Sequence, residues 1–138
     1  MDPTPYSKIR TLVVDDVTSA RRVVTKILGE LGFNNVVEAK SGKEAVEKLG
    51  QEVFQLVISD QEMPDMSGMD LVRHIRGKDS IKHLPVIMVT SSSDKGQVME
   101  AIKAGVNDYV VKPVSVDLLL TKIRRVFAAM SQRPAAGG

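Results

Sequence analysis

Leu56-Val57-Ile58-Ser59-Asp60-Gln61-Glu62-Met63-Pro64-Asp65-Met66-Ser67-Gly68 is the stretch whose reading decides the fold. It begins as a short apolar run, β-branched in part and without polar alternation, which is the pattern of a strand buried on both faces. It stops on a carboxylate and a Met-Pro-Asp turn. Asp60 is therefore expected at the carboxyl end of a central strand, the rim where open α/β sheets bind ligands.

Outward from this strand, the chain alternates between two periods. Ile9 to Val14 reads as a first strand closing on Asp15-Asp16, and Ala20, Val23, Val24, Ile27, Leu28 and Leu31 form one stripe of a helix stopped by Gly32. Val36 to Ala39 is a second strand. Ser41-Gly42-Lys43-Glu44 has the form of a capping box, opening a helix with Ala45, Val46 and Leu49 inward and Gly50 at its end. Ser67 caps a third helix to Gly77, and Pro85 to Thr90 is a fourth strand with its proline at the first position. Asp94 to Ala104, with Val98, Ala101 and Ile102 inward, is a helix stopped by Gly105. Asp108 to Val111 is the fifth strand, and Val116 to Met130 the last helix. Strands alternating with helices across short loops imply a doubly wound, five-stranded parallel sheet of the flavodoxin-like α/β class, in the order 2-1-3-4-5.

At 138 residues, 43% of them hydrophobic, the chain suits one domain, expected over 9–130, with 1–8 as a lead-in and 131–138 as a flexible tail or linker. A formal charge of +2 gives no basis for nucleic-acid binding, and the basic residues Arg21, Arg22, Lys122, Arg124 and Arg125 read as a solvated face or docking contacts. With no cysteine, disulfides and thiolate metal sites are excluded. No signal peptide or membrane-length apolar run is present, so no membrane insertion is expected and a cytoplasmic location is the default. His74 and His83 have no partner at ligand spacing and read as surface residues.

In the order 2-1-3-4-5, strands one and three are neighbours. Asp15 and Asp16 then meet Asp60 in one crevice, and Thr90 and Lys112 arrive from strands four and five. Two carboxylates about 4 Å apart repel by roughly 4 kcal/mol at an effective dielectric of 20. A hard divalent cation offsets this, and Mg²⁺ suits a site of carboxylates that leaves positions for phosphate oxygens. Lys112 and Thr90 supply donors for such oxygens, so the parts add up to phosphoryl transfer, with Asp60 as the nucleophile of an aspartyl phosphate. Singly, each residue has a plainer role: Asp15 and Asp16 favour the positive end of a helix, Thr90 is a strand residue, Tyr109 a core aromatic and Lys112 a surface lysine. Their joint arrival at strand ends favours the site.

Asp15-Asp16, Asp60 with Met63-Pro64 and Gly68, Thr90-Ser91, Tyr109 and Lys112-Pro113 together resemble the receiver domain of bacterial two-component response regulators, chemotaxis regulators in particular. Chemotaxis receivers are themselves a standard instance of the 2-1-3-4-5 order, so that order and the resemblance are not independent. The resemblance implies that Asp60 takes a phosphoryl group from a histidine kinase, that Asp16 and Asp60 bind Mg²⁺ directly, Asp15 through water and Glu62 through its backbone carbonyl, and that Thr90 and Lys112 grip the phosphoryl oxygens. It also implies a switch, in which Thr90 and Tyr109 move and reshape the face of helix four, strand five and helix five toward an output protein, the flagellar motor switch being the chemotaxis-type partner. Such a protein catalyses only its own phosphorylation and dephosphorylation. A cis Lys112-Pro113 bond is a further family expectation.

The chain departs from the chemotaxis pattern at Gln61 and Glu62, where those regulators typically carry tryptophan and asparagine, and at Ser92, where they carry glutamate. Val114, on the expected output face, differs as well. In receivers the positions of Glu62 and Ser92 tune loss of the phosphoryl group. Two alternatives stand beside a stand-alone regulator: a receiver belonging to a larger transcription regulator or hybrid kinase, and an aspartyl-phosphate phosphatase of the haloacid dehalogenase type. The latter wants a second aspartate where Glu62 stands.

Overall fold

The computed structural model describes residues 6–131. Five strands, β1 (Arg10–Val14), β2 (Asn35–Ala39), β3 (Leu56–Asp60), β4 (Val86–Thr90) and β5 (Asp108–Val111), alternate with five helices. These are α1 (Thr18–Glu30), α2 (Gly42–Gln51), α3 (Gly68–Arg76), α4 (Lys95–Ala104) and α5 (Val116–Ser131). The sheet runs β2-β1-β3-β4-β5 and every pairing is parallel, as expected. Alternation along the strands divides the core in two. Leu12, Val14, Val57, Val86 and Met88 face Leu49, Leu71, Val72, Ile75 and Ala101 from α2, α3 and α4. Val13, Leu56, Ile58, Ile87, Val89 and Val110 face Val24, Ile27, Leu28, Leu119 and Ile123 from α1 and α5. With helices on both sides, all five residues of β3 are buried, which is why its sequence lacks alternation.

The strand ends converge by register. Val14 is level with Ser59, Asp60 with Val89, and Thr90 with Val111, so the residues that follow β1 and β5 arrive beside Asp60 and Thr90.

Several local expectations differ in detail. Ser41 accepts from the Glu44 N–H, but the Glu44 carboxylate reaches the Lys40 N–H, so only half of the expected box closes. The complete capping box is at α3, between Ser67 and Asp70. Gly50 lies inside the last turn of α2, whereas Gly105 ends α4 with φ of 110°, where its lack of Cβ is needed. Val23 and Ile102, placed inward by periodicity, are 48% and 51% exposed. Both lie at the margin of a helix stripe, where a neighbouring element decides burial. Tyr6, in the expected lead-in, stacks on Phe33 with ring centroids 4.8 Å apart. The expected tail falls outside the described residues except for Ser131, which ends α5.

Candidate functional site

Asp60 ends β3 with only 3% of its surface exposed. Backbone bonding fixes the position: Gln61 N–H donates to Val89 across the sheet, and Gly68 N–H returns to the Gln61 carbonyl, folding the Met63-Pro64-Asp65 loop over the strand end. Gly68 makes that fold possible. A Cβ there would lie 2.6 Å from the Asp60 carbonyl oxygen and 2.4 Å from Met88 Sδ. The same loop is tied to α2, whose Lys43 N–H donates to the Asp65 carboxylate at 3.0 Å.

β1 delivers Asp15 and Asp16. Asp15 is buried, with one carboxylate oxygen accepting from the Val17 N–H at 2.9 Å and its backbone carbonyl accepting from Arg21. Asp16 is exposed, yet one oxygen from each of Asp15, Asp16 and Asp60 can be chosen so that all lie within 4.8 Å of one another. Lys112 crosses from the end of β5: its Nζ is 3.0 Å from Asp60 Oδ1 and 3.8 Å from Asp15 Oδ2. This buried oxygen is ion-paired to Lys112 but accepts no well-directed hydrogen bond, so it still has an unused acceptor position. The Lys112-Pro113 peptide is cis, as expected.

Burial pushes the Asp60 carboxyl up from 3.8 to about 6, with Lys112 pulling the other way and the Asp15 charge adding to the rise. For Lys112 burial works against the charge, but the Asp60 and Asp15 carboxylates outweigh it and the pKa is raised. One lysine therefore faces a crowded set of carboxylates. Clustered hard oxygens and an under-satisfied buried carboxylate fit a divalent cation.

Thr90 ends β4. Its hydroxyl donates to Glu62 Oε1 at 3.0 Å and accepts from the Ser92 N–H at 3.1 Å; Ser91 donates to the same Glu62 oxygen at 3.2 Å. Burial would raise the Glu62 pKa, but the hydroxyls of Thr90 and Ser91 outweigh it and hold the carboxyl below its ordinary value. The Ser92 hydroxyl accepts from the Asp94 N–H and so serves the entry to α4. Tyr109 is half-buried on β5, and it lines a small void together with Gln61, Met88, Thr90 and Val98.

Asp15, Asp16, Asp60, Glu62, Thr90, Ser92 and Lys112 thus lie at the carboxyl rim, while Tyr109 lies further back in the sheet, level with Met88. The bonds of Glu62 to Thr90 and Ser91 were not foreseen, because they join residues 28 and 29 positions apart. Three of the basic residues read as a solvated face or docking contacts have acidic partners within the chain. Arg21 pairs with Glu38, Lys122 lies 3.2 Å from buried Asp108 and 5.2 Å from the Tyr109 ring centroid, and Arg125 lies 3.5 Å from the same Asp108. No spacing rule links Asp108 with Lys122 and Arg125; only the packing of α5 on β5 joins them.

In comparison with known proteins, the family described as response regulator receiver domain matches residues 11–124. The chain belongs to that family. It is 42% identical to the chemotaxis protein CheY of Pseudomonas aeruginosa over 119 residues, 86% of this chain and 96% of that protein. The solved structure of the chemotaxis response regulator CheY4 of Vibrio cholerae superposes with a TM-score of 0.79 at 32% identity, covering 86% of this chain and 98% of CheY4. The receiver domain of a signal transduction histidine kinase from Syntrophus aciditrophicus gives 0.80 at 28%, covering 92% and 96%. Membership in a family of signalling receivers sets aside the dehalogenase-type phosphatase. The position such an enzyme would need for its acid holds Glu62, already engaged by two hydroxyls.

Proposed function

We propose that this chain is a phosphorylation-dependent switch of the CheY type, in which Asp60 accepts a phosphoryl group from a phosphohistidine of a histidine kinase. The observation that carries it is the buried Asp60 carboxylate, paired with Lys112 at 3.0 Å and clustered with Asp15 and Asp16. Asp15, Asp16, Asp60 and the backbone carbonyl of Glu62 would hold Mg²⁺, which when bound offsets carboxylate and phosphoryl charge. An Asp60 oxygen attacks phosphorus: the O–P bond forms as the N–P bond of the donor breaks, and the departing imidazole keeps the electron pair. Lys112 then donates to the phosphoryl oxygens, joined by Thr90 once its hydroxyl is available. Movement of Thr90 and Tyr109 transmits the change to the α4, β5 and α5 face. That face exposes Met99, Ile102 and Leu118 for an output partner such as the flagellar motor switch. The side chains of Glu62 and Ser92 tune the lifetime of the phosphorylated state. A cytoplasmic location goes with this role; no described helix is long and apolar enough to cross a membrane.

Intact-mass measurement after incubation with Mg²⁺ and a small acyl phosphate should give one added phosphoryl group, lost in Asp60→Asn and without the metal. An adduct that persists in Asp60→Asn would overturn the assignment. Comparing dephosphorylation of the wild type with Glu62→Asn tests the tuning role, which equal rates would remove. A receiver within a larger regulator or hybrid kinase is a second reading. The match to a kinase receiver domain supports it, and the length of the native gene tests it.

A further inference from the structure

A threonine hydroxyl has one proton to donate, and in Thr90 it is committed. The proton goes to Glu62 Oε1 at 3.0 Å, while the Ser92 N–H occupies the Thr90 oxygen at 3.1 Å. Ser91 reinforces the arrangement with a second donation, at 3.2 Å, to the same carboxylate oxygen. Glu62 lies on the loop after β3 and the two hydroxyls lie at the end of β4, so these bonds bridge the two strand ends that have to rearrange around a phosphoryl group.

We propose that Glu62 is a positioning residue that latches the Thr90 hydroxyl in the unphosphorylated protein, so that a phosphoryl group on Asp60 must displace a carboxylate already holding the switch. The inference rests on Asp60 being the phosphoacceptor. Two consequences follow from the chemistry. Thr90 cannot donate to Glu62 and to a phosphoryl oxygen at once, so the anions compete for one proton. Like charge also drives the Glu62 carboxylate away from an anion on Asp60, so phosphorylation opens the latch and frees Ser91 with Thr90. Glu62 therefore stabilises the resting state, and its effect on the site runs through Thr90 in addition to any direct charge repulsion. This differs from guarding the path of attacking water, which changes only how fast the group is lost. The latch changes how strongly the site holds an anion at equilibrium.

The probe is beryllofluoride, which mimics a phosphoryl group on a carboxylate, titrated in Mg²⁺ against the full chain. Releasing one hydroxyl donor from a competing carboxylate is on the scale of tenfold in affinity, which is about 1.4 kcal/mol. Glu62→Ala is therefore expected to bind the probe about tenfold more tightly than wild type. In a Thr90→Val background the same substitution should give a clearly smaller gain, because only the charge effect remains. Equal gains in both backgrounds, or no gain in the first, would overturn the latch. A second measurement does not depend on Thr90→Val folding: the Thr90 methyl resonance of probe-free Glu62→Ala should move toward its position in wild type saturated with beryllofluoride. A resonance left at the resting position would equally overturn it. If wild type itself takes up no probe, the phosphoacceptor assignment fails along with the latch; a wild type that binds with no response in the variant removes the latch alone.

Discussion

The buried Asp60 carboxylate costs the folded protein stability. Its folded pKa, about 6, lies above the ordinary 3.8, so between these values the folded protein binds more protons than the unfolded chain. Stability then falls as pH rises from about 4 to 6, and the full cost is present above pH 6. At 1.36 kcal/mol per unit this is at most about 3 kcal/mol. In metal-free buffer, Asp60→Asn is expected to be more stable than wild type at pH 7 by up to that amount and to lose the pH dependence between 4 and 6. Urea unfolding at several pH values measures both. Lys112 provides the counter-charge in the structure and, under the proposed function, donors for the transferred group. Lys112→Ala should lower the rate of phosphorylation from an acyl phosphate by about a hundredfold or more, the scale of losing one positioned donor to a developing charge. A stopped-time mass assay reads that rate.

At the scale of elements, the site depends on how the loop after β3 closes. Gly68→Ala would drive a methyl into the Asp60 carbonyl and Met88, and is expected to cost roughly 1–3 kcal/mol, as overpacking does, and to slow phosphorylation by displacing the strand end. Chemical denaturation and the mass assay check the two effects. On the other side of the molecule, Asp108 draws Lys122 to within 3.2 Å and Arg125 to within 3.5 Å, holding α5 on β5 beside Tyr109. The Asp108 carboxylate also accepts from the Tyr109 N–H at 2.9 Å, so Asp108→Ala should lower stability by roughly 1.5–3 kcal/mol, the range for a hydrogen bond to a charged group, and alter the Tyr109 ring resonances. The alternation of strands and helices was legible because runs such as Leu56 to Ile58 and stripes such as Val24, Ile27 and Leu28 differ in period. The exposure of Val23 and Ile102 was not. A periodic stripe marks a helix face, but how wide a strip is covered depends on which helix packs alongside.

For the whole molecule, folding brings Asp15, Asp16 and Asp60 together, so a cation held by all three would bind the folded chain and not the unfolded one. A ligand that binds only the folded state stabilises it by about 2.7 kcal/mol at a hundredfold excess over Kd. Mg²⁺ is therefore expected to raise Tm of the wild type, and to do so far less in the double variant Asp16→Asn with Asp60→Asn, as scanning calorimetry would record. Conversion of a switch from 1:99 to 99:1 takes about 5.5 kcal/mol of differential binding, which under the proposed function the contacts of a phosphoryl group with Lys112, Thr90 and a cation would have to supply. The sequence by itself determined the order of elements, the buried central strand and the identity of the rim residues, because each follows from period, turn chemistry and residue type within a short window. Only the tertiary structure decided that Glu62 holds Thr90 and Ser91, that Lys122 belongs to Asp108 and not to solvent, and that the proton Thr90 would offer a phosphoryl group is already in use. Those bonds join residues far apart in the chain, and strand register and loop closure, not spacing, set their distances.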